Sequence, residues 1–155
     1  VPDADSLNPA EECLSRLIDE LRHQLQDLVG SIGMSRDAVT HPDAKAESKY
    51  DTRALEASYL ALGQSRRAAE LAHNIERLES RQTKVRCLIL RPTNGSSDIK
   101  IFLVDGIGAQ RITLRTGEEV QVISEQSPLG QRLRESDPGE ELVYLKSAHV
   151  VTAWF

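Results

Sequence analysis

Three carboxylates, Asp43, Glu47 and Asp51, gather in the stretch Asp43–Ala57, which reads DAKAESKYDTRALEA. Carboxylate oxygens are the ligands that a hard divalent cation such as Mg²⁺ selects. The stretch falls where one long helical segment has to turn back into another, a place where packing has no use for negative charge. The same side chains also suit helix capping and a solvated surface, and Lys45 and Lys49 interleave with them. The chain presents no nucleophile–base pair and no Gly-rich phosphate cradle, so an enzyme with an active site of its own is not expected. His23, His41, His73 and His149 are scattered, and each reads as a surface or packing residue rather than a ligand. Cys13 and Cys87 lie far apart in sequence, one in a helical pattern and one in a strand pattern, with no C-x-x-C spacing. They read as reduced thiols, and no structural zinc site or bound cofactor is expected.

The elements that must position this chemistry emerge from composition and periodicity. With 155 residues, 39% apolar and only 4% aromatic, the chain is lean for one globular core and suits an extended helical pair on a small base. The net charge of −5 is uneven: residues 1–51 carry 5 basic and 11 acidic side chains, and residues 52–84 carry 6 and 4. No basic excess marks a duplex-DNA reader, so sequence-specific DNA is not an expected partner. An acidic first half with a mildly basic return points to a protein partner. No secretory or transmembrane segment is visible, and the cytoplasm is the expected compartment.

Asn8-Pro9-Ala10-Glu11 reads as a helix start, with Asn8 as cap, Pro9 in the first turn and Glu11 reaching back as a capping-box partner. Leu14, Ile18, Leu21, Leu25, Leu28 and Ile32 follow at alternating spacings of 4 and 3, with Leu17 and Val29 widening the seam. The helix is expected to loosen between about Gly33 and Thr40, ahead of Pro42. A second helix is expected to start between Asp43 and Thr52 and to run to about Ser80. Its seam is Ala54, Ala57, Ala61, Gln64, Ala68, Leu71, Ile75 and Leu78, in the same heptad register. The pattern predicts an antiparallel coiled-coil hairpin over residues 1–82, with its acidic tip near 43–52. The Ala-rich end lets the two backbones approach closely, and a helix of about 28 residues is roughly 40 Å long.

After Thr83 the period falls to two. Strands are predicted at Val85–Leu90, Ile99–Val104, Arg111–Leu114, Glu119–Ile123, Glu141–Leu145 and Ala148–Val151, with turns at Pro92–Gly95, Asp105-Gly106 and Thr116-Gly117. One short helix fits Ser127–Leu133, with Ser127 as cap and Pro128 at the first helical position. The expected fold is α+β, a helical hairpin followed by a small antiparallel β domain over residues 83–155.

A coiled-coil hairpin, then a sheet domain carrying Ser127-Pro128-Leu129-Gly130 with Leu133, then Gly139-Glu140-Glu141-Leu142, resembles the GreA/GreB family of bacterial transcript-cleavage factors. The resemblance spans about Asn8 to Phe155, and its C-terminal part is the more specific. It implies an FKBP-like second domain that docks on RNA polymerase, with Ser127, Pro128, Leu129 and Gly130 as docking candidates. It also implies a monomer whose hairpin enters the secondary channel of the polymerase. Tip carboxylates would there assist the second catalytic Mg²⁺, supplied by the polymerase, so that the polymerase cuts its own backtracked RNA. Contact with nascent RNA would be indirect, and no membrane is involved.

The family tip pattern is roughly G-D-x-x-E-N. Aligned on Lys49-Tyr50, Asp51 falls on its Glu, Ser48 stands where its Asp would be, and Glu47 sits one residue early. The Mg-assisting candidates are thus Asp43, Glu47, Ser48 and Asp51, of which a Ser hydroxyl is the weakest ligand. Two outcomes stay open within the class: stimulation of RNA cleavage, and occupation of the channel without cleavage. An FKBP-like peptide-binding or chaperone module is a further alternative. Against it stands the scarcity of aromatics in the base, where only Phe102, Tyr144, Trp154 and Phe155 are available.

Overall fold

The computed structural model describes residues 8–40 and 53–154, with side chains over 8–34 and 55–154. Two long helices come first, α1 (Pro9–Thr40) and α2 (Arg53–Glu79). A six-stranded sheet follows, β1 (Val85–Pro92), β2 (Ile99–Val104), β3 (Gln110–Thr113), β4 (Glu119–Ser124), β5 (Glu141–Tyr144) and β6 (Ser147–Ala153). The short helix α3 (Pro128–Glu135) lies between β4 and β5. The chain divides into two compact units, one of Asp19–Glu76 and one of Val1–Ile18 with Arg77–Phe155. The first turns of α1 and the last residues of α2 thus belong with the sheet rather than with a separate 1–82 domain.

In the Asp19–Glu76 unit each helix turns one stripe away from solvent. On α2 the stripe includes Ala57, Ala61, Gln64, Ala68, Leu71 and Ile75; on α1 it includes Leu21, Leu25, Leu28 and Ile32. These are the predicted heptad positions. Val29 does not widen the seam, being 55% exposed. Nor does α1 loosen at Gly33: it stays helical to Thr40. A helical glycine costs only about 1 kcal/mol relative to alanine, and no proline falls before Pro42 to interrupt the ladder.

In the other unit the sheet order is β3-β4-β2-β1-β6-β5. The predicted sheet was all antiparallel, but β2 and β4 run parallel, with Phe102 opposite Val122. The reason is the β3–β4 hairpin, which places β4 against β2 and leaves β3 at the edge. Leu88 and Leu90 of β1, Ile101 and Leu103 of β2, Leu142 of β5 and Val151 of β6 share one face and enclose Leu133 of α3 in a core cluster. The opposite face presents Cys87, Phe102, Val104, Val120 and Val122, and these are buried too. Cys13, Leu14 and Leu17 of α1 and Leu78 of α2 are buried in the same unit. With both faces covered, β2 reads as an uninterrupted apolar run, Ile101–Val104, instead of alternating.

The helix ends are fixed by identifiable groups. Asn8 caps α1: its Oδ1 accepts from Ala10 N at 2.9 Å and its carbonyl from Glu11 N at 2.8 Å. Glu11 does not close a capping box. Its carboxylate instead accepts both forks of the Arg81 guanidinium, at 2.5 and 2.6 Å. The end of α2 is a Schellman motif, with Gln82 N donating to Arg77 O and Arg81 N to Leu78 O, both at 3.2 Å. Its left-handed position, usually a glycine, is Arg81 at φ 58°. The residue under backbone strain is therefore the one whose side chain reaches Glu11 at the start of α1.

Candidate functional site

The predicted docking segment is built on α3. Ser127 has extended backbone, and its hydroxyl accepts from Gly130 N at 3.0 Å while donating to Ser124 O at 2.8 Å. Pro128 follows at the first helical position, where a missing N–H costs nothing. Leu129 packs at the margin of the core cluster, beneath which Leu133 is fully buried. Gly130 is dictated by space: a Cβ there would lie 1.9 Å from Ser124 O and 2.8 Å from Ser124 C. Each of the four residues thus has a structural reason to be what it is. Pro128 alone is exposed, with Ser127 and Leu129 half-buried, so the surface the segment offers is narrow.

The C-terminal end of α3 is held by a residue that sequence reasoning did not single out. Arg86 of β1 donates through Nη1 to Leu133 O at 3.2 Å and Arg134 O at 3.3 Å, and through Nη2 to Ser136 O at 3.1 Å. A cation on the unsatisfied last carbonyls of a helix satisfies both their hydrogen-bonding need and the helix dipole. Strand parity was the available signal, since Arg86 shares a face with Leu88 and Leu90 and so points toward α3. On the other side, Arg77 Nη2 donates to Asp105 Oδ2 at 3.0 Å and Glu12 Oε1 accepts from Arg115 N at 2.7 Å.

A shallow cavity of about 370 Å³ lies among Gln110 and Arg111 of β3, Gln121 and Ile123 of β4, and Tyr144 and Leu145. Tyr144 OH donates to Gln121 Oε1 at 3.1 Å, and its ring meets His149 edge-on at 5.9 Å. His149 is buried, with Nδ1 2.9 Å from Ser147 O. Tyr144 is the one aromatic lining this cavity, and Phe102 is fully buried in the sheet. The β5–β6 turn carries Leu145 and Lys146 at φ 50° and 65°, and leaves Leu145 68% exposed.

The tip candidates Asp43, Glu47, Ser48 and Asp51 lie outside the described residues. Among the described residues, no three His, Cys, Asp or Glu side chains come together in a way that could hold a metal ion. Among them, too, no helix is long and apolar enough to cross a membrane. On α2, Tyr59 is 68% exposed, and Arg67 pairs with Glu70 at 3.5 Å in a solvated contact. No protein-family model matches the chain, and no curated protein or solved structure matches it either.

Proposed function

We propose that this protein is a bacterial RNA polymerase-binding factor of the GreA/GreB type, whose helical pair enters the secondary channel while its FKBP-like base docks outside. The observation that carries the reading is the Asp19–Glu76 unit. Two long helices form a compact unit of their own, with Leu and Ile in the buried stripe near residues 21 and 75 and Ala at 57, 61 and 68. At 1.5 Å per residue, α1 with 32 residues and α2 with 27 are about 48 and about 40 Å long. Glu11 clasping Arg81 is the contact that an antiparallel pair requires at its open end. Support from the base is the α3 start, where Ser127, Pro128, Leu129 and Gly130 match the family segment residue by residue.

In this reading the tip supplies charge and the polymerase supplies the chemistry. Asp51, with Glu47 or Asp43, presents carboxylate oxygens to the second Mg²⁺ of the polymerase, which stabilises the attacking water and the leaving oxygen of the cleaved RNA. The protein has no catalytic residue and no resident cofactor in this scheme, acts as a monomer in the cytoplasm, and touches nascent RNA only at the tip. A second reading, occupation of the channel without cleavage, is favoured by Ser48, which replaces a charged ligand with a hydroxyl. A peptide-binding role for the base has less support, because the cavity beside Tyr144 lacks an aromatic cage.

The test is a stalled-complex RNA cleavage assay run beside a promoter transcription assay with bacterial RNA polymerase. Shortening of backtracked RNA that disappears in Asp51→Ala supports the cleavage reading. Altered promoter output without shortening supports the channel-occupying one. No effect in either assay, together with no co-sedimentation with polymerase, removes the proposal.

A further inference from the structure

Two thiols that the sequence keeps far apart meet inside the base unit. Cys13 lies in the second turn of α1, and Cys87 sits on β1, on the sheet face it shares with its cross-strand partner Phe102. Both are free and both are buried, and Cys13 Sγ and Cys87 Sγ are hydrogen-bonded to each other. Their neighbours fix the two elements in place: Glu12 accepts from Arg115 N, and Cys87 O accepts from Trp154 N at 3.4 Å. A buried free cysteine ordinarily acts as a small hydrophobe. A pair in contact has further chemistry available, because a disulfide needs two sulfurs brought close on backbones that already face each other.

We propose that Cys13 and Cys87 are a modification site, a dithiol that hydrogen peroxide converts reversibly into an intramolecular disulfide between α1 and β1. The two sulfurs are not equivalent. The hydrogen bond from Cys13 draws the Cys87 thiol below the ordinary thiol range, while the same bond and burial push Cys13 above it. Cys87 also retains 8% exposure where Cys13 has none. Both features make Cys87 the attacking sulfur, since the thiolate is the nucleophile. Its thiolate attacks one peroxide oxygen, the O–O bond breaks, and the departing hydroxide takes a proton, leaving Cys87 as sulfenic acid and one water. Cys13 sulfur then attacks the Cys87 sulfur, the S–OH bond breaks, and that hydroxide leaves with the Cys13 proton as a second water. Two thiols and one peroxide give one disulfide and two waters.

The bond would close a loop from residue 13 to residue 87 that contains the whole Asp19–Glu76 unit. Oxidation therefore staples the root of the helical pair to the sheet, and a thiol reductant releases it. This inference stands on the base unit alone and holds whether or not the protein binds polymerase.

The full chain is exposed to graded hydrogen peroxide, quenched in acid, denatured, and its free thiols are counted with a maleimide and by intact mass. Reduced protein should take up two maleimides per chain, matching its two cysteines. Oxidised protein should take up none, run as a monomer on a non-reducing gel, weigh two hydrogens less, and regain both thiols with dithiothreitol. Cys13→Ser should trap Cys87 as a sulfenic acid that dimedone labels. Two maleimides still taken up after oxidation, or loss of thiols only through intermolecular dimers or oxygen gain, would overturn the proposal. The wild-type count decides the matter even if a variant folds poorly.

Discussion

Replacing Gly130 with alanine separates helix propensity from close packing, because the two act in opposite directions there. In a solvated helix the change stabilises by about 1 kcal/mol. At Gly130 the added Cβ would meet Ser124 O at 1.9 Å, Ser124 C at 2.8 Å and Glu125 Cα at 2.9 Å. All three are backbone atoms, and Ser124 O already accepts from Ser127 N at 3.0 Å and Ser127 Oγ at 2.8 Å. No flexible side chain is available to give way, so α3 must retreat from β4 and draw Leu133 out of the core. Overpacking of this kind costs about 3 kcal/mol at the upper end of the usual range. Less the gain of about 1 kcal/mol from propensity, about 2 kcal/mol of destabilisation remains. For a unit near 100 residues that lowers Tm by about 8–16 °C. Fluorescence of Trp154, the single tryptophan, which packs against Lys100, reports the melting of this unit. Gly63→Ala is the control, since nothing lies within 4 Å of its Cβ position in α2, and it should gain up to about 1 kcal/mol. A Gly130→Ala protein as stable as the parent would refute the claim that space dictates this glycine.

Arg86→Met should cost about 2 kcal/mol by urea denaturation, through loss of charge-assisted bonds to three carbonyls at the end of α3. Gln64→Leu should stabilise the helical unit by about 1–2 kcal/mol, because Gln64 Oε1 is buried without a partner among the described residues. Arg81→Gly should have a higher urea midpoint than Arg81→Ala: both lose the Glu11 contact, but only glycine relieves the left-handed backbone. On acidification, Glu11 and Glu118 should both weaken the fold. The hydrogen bond from Arg81 holds Glu11 below its ordinary value of 4.5, and that from Lys100 does the same for Glu118. A depressed carboxylate stabilises above its ordinary value and loses that contribution as pH falls through its folded value. Glu11→Gln should therefore flatten part of the decline in the urea midpoint below pH 4.5.

What could be read from the chain alone is what local spacing encodes. The stripe at Ala57, Ala61, Gln64, Ala68, Leu71 and Ile75 follows from the heptad, and the α3 start follows from Ser127-Pro128. Asn8 capped α1 as its type suggested. Partners distant in sequence were not legible. Nothing in a period of two says that β4 pairs with β2 in parallel, because the choice is made by where the β3–β4 hairpin lands. Glu11 fits a capping box by spacing, yet a guanidinium from Arg81 forms a better contact with it than a lone backbone N–H does. Cys13 and Cys87 meet only because the first turns of α1 cover the sheet face that carries β1. The motif Ser127–Gly130 was legible as a helix start and as a family segment alike, and the structure supplies a reason for the first.

The claim that the helical pair enters the polymerase channel is tested most directly by a chelated iron attached at Ser48→Cys, with Cys13 and Cys87 shielded by burial during labelling. Bound to RNA polymerase and triggered to release hydroxyl radicals, the iron should cut the polymerase around its catalytic aspartates, with the cuts competed away by unlabelled protein. Cuts confined to the outer surface of the polymerase, or none despite binding, would contradict it.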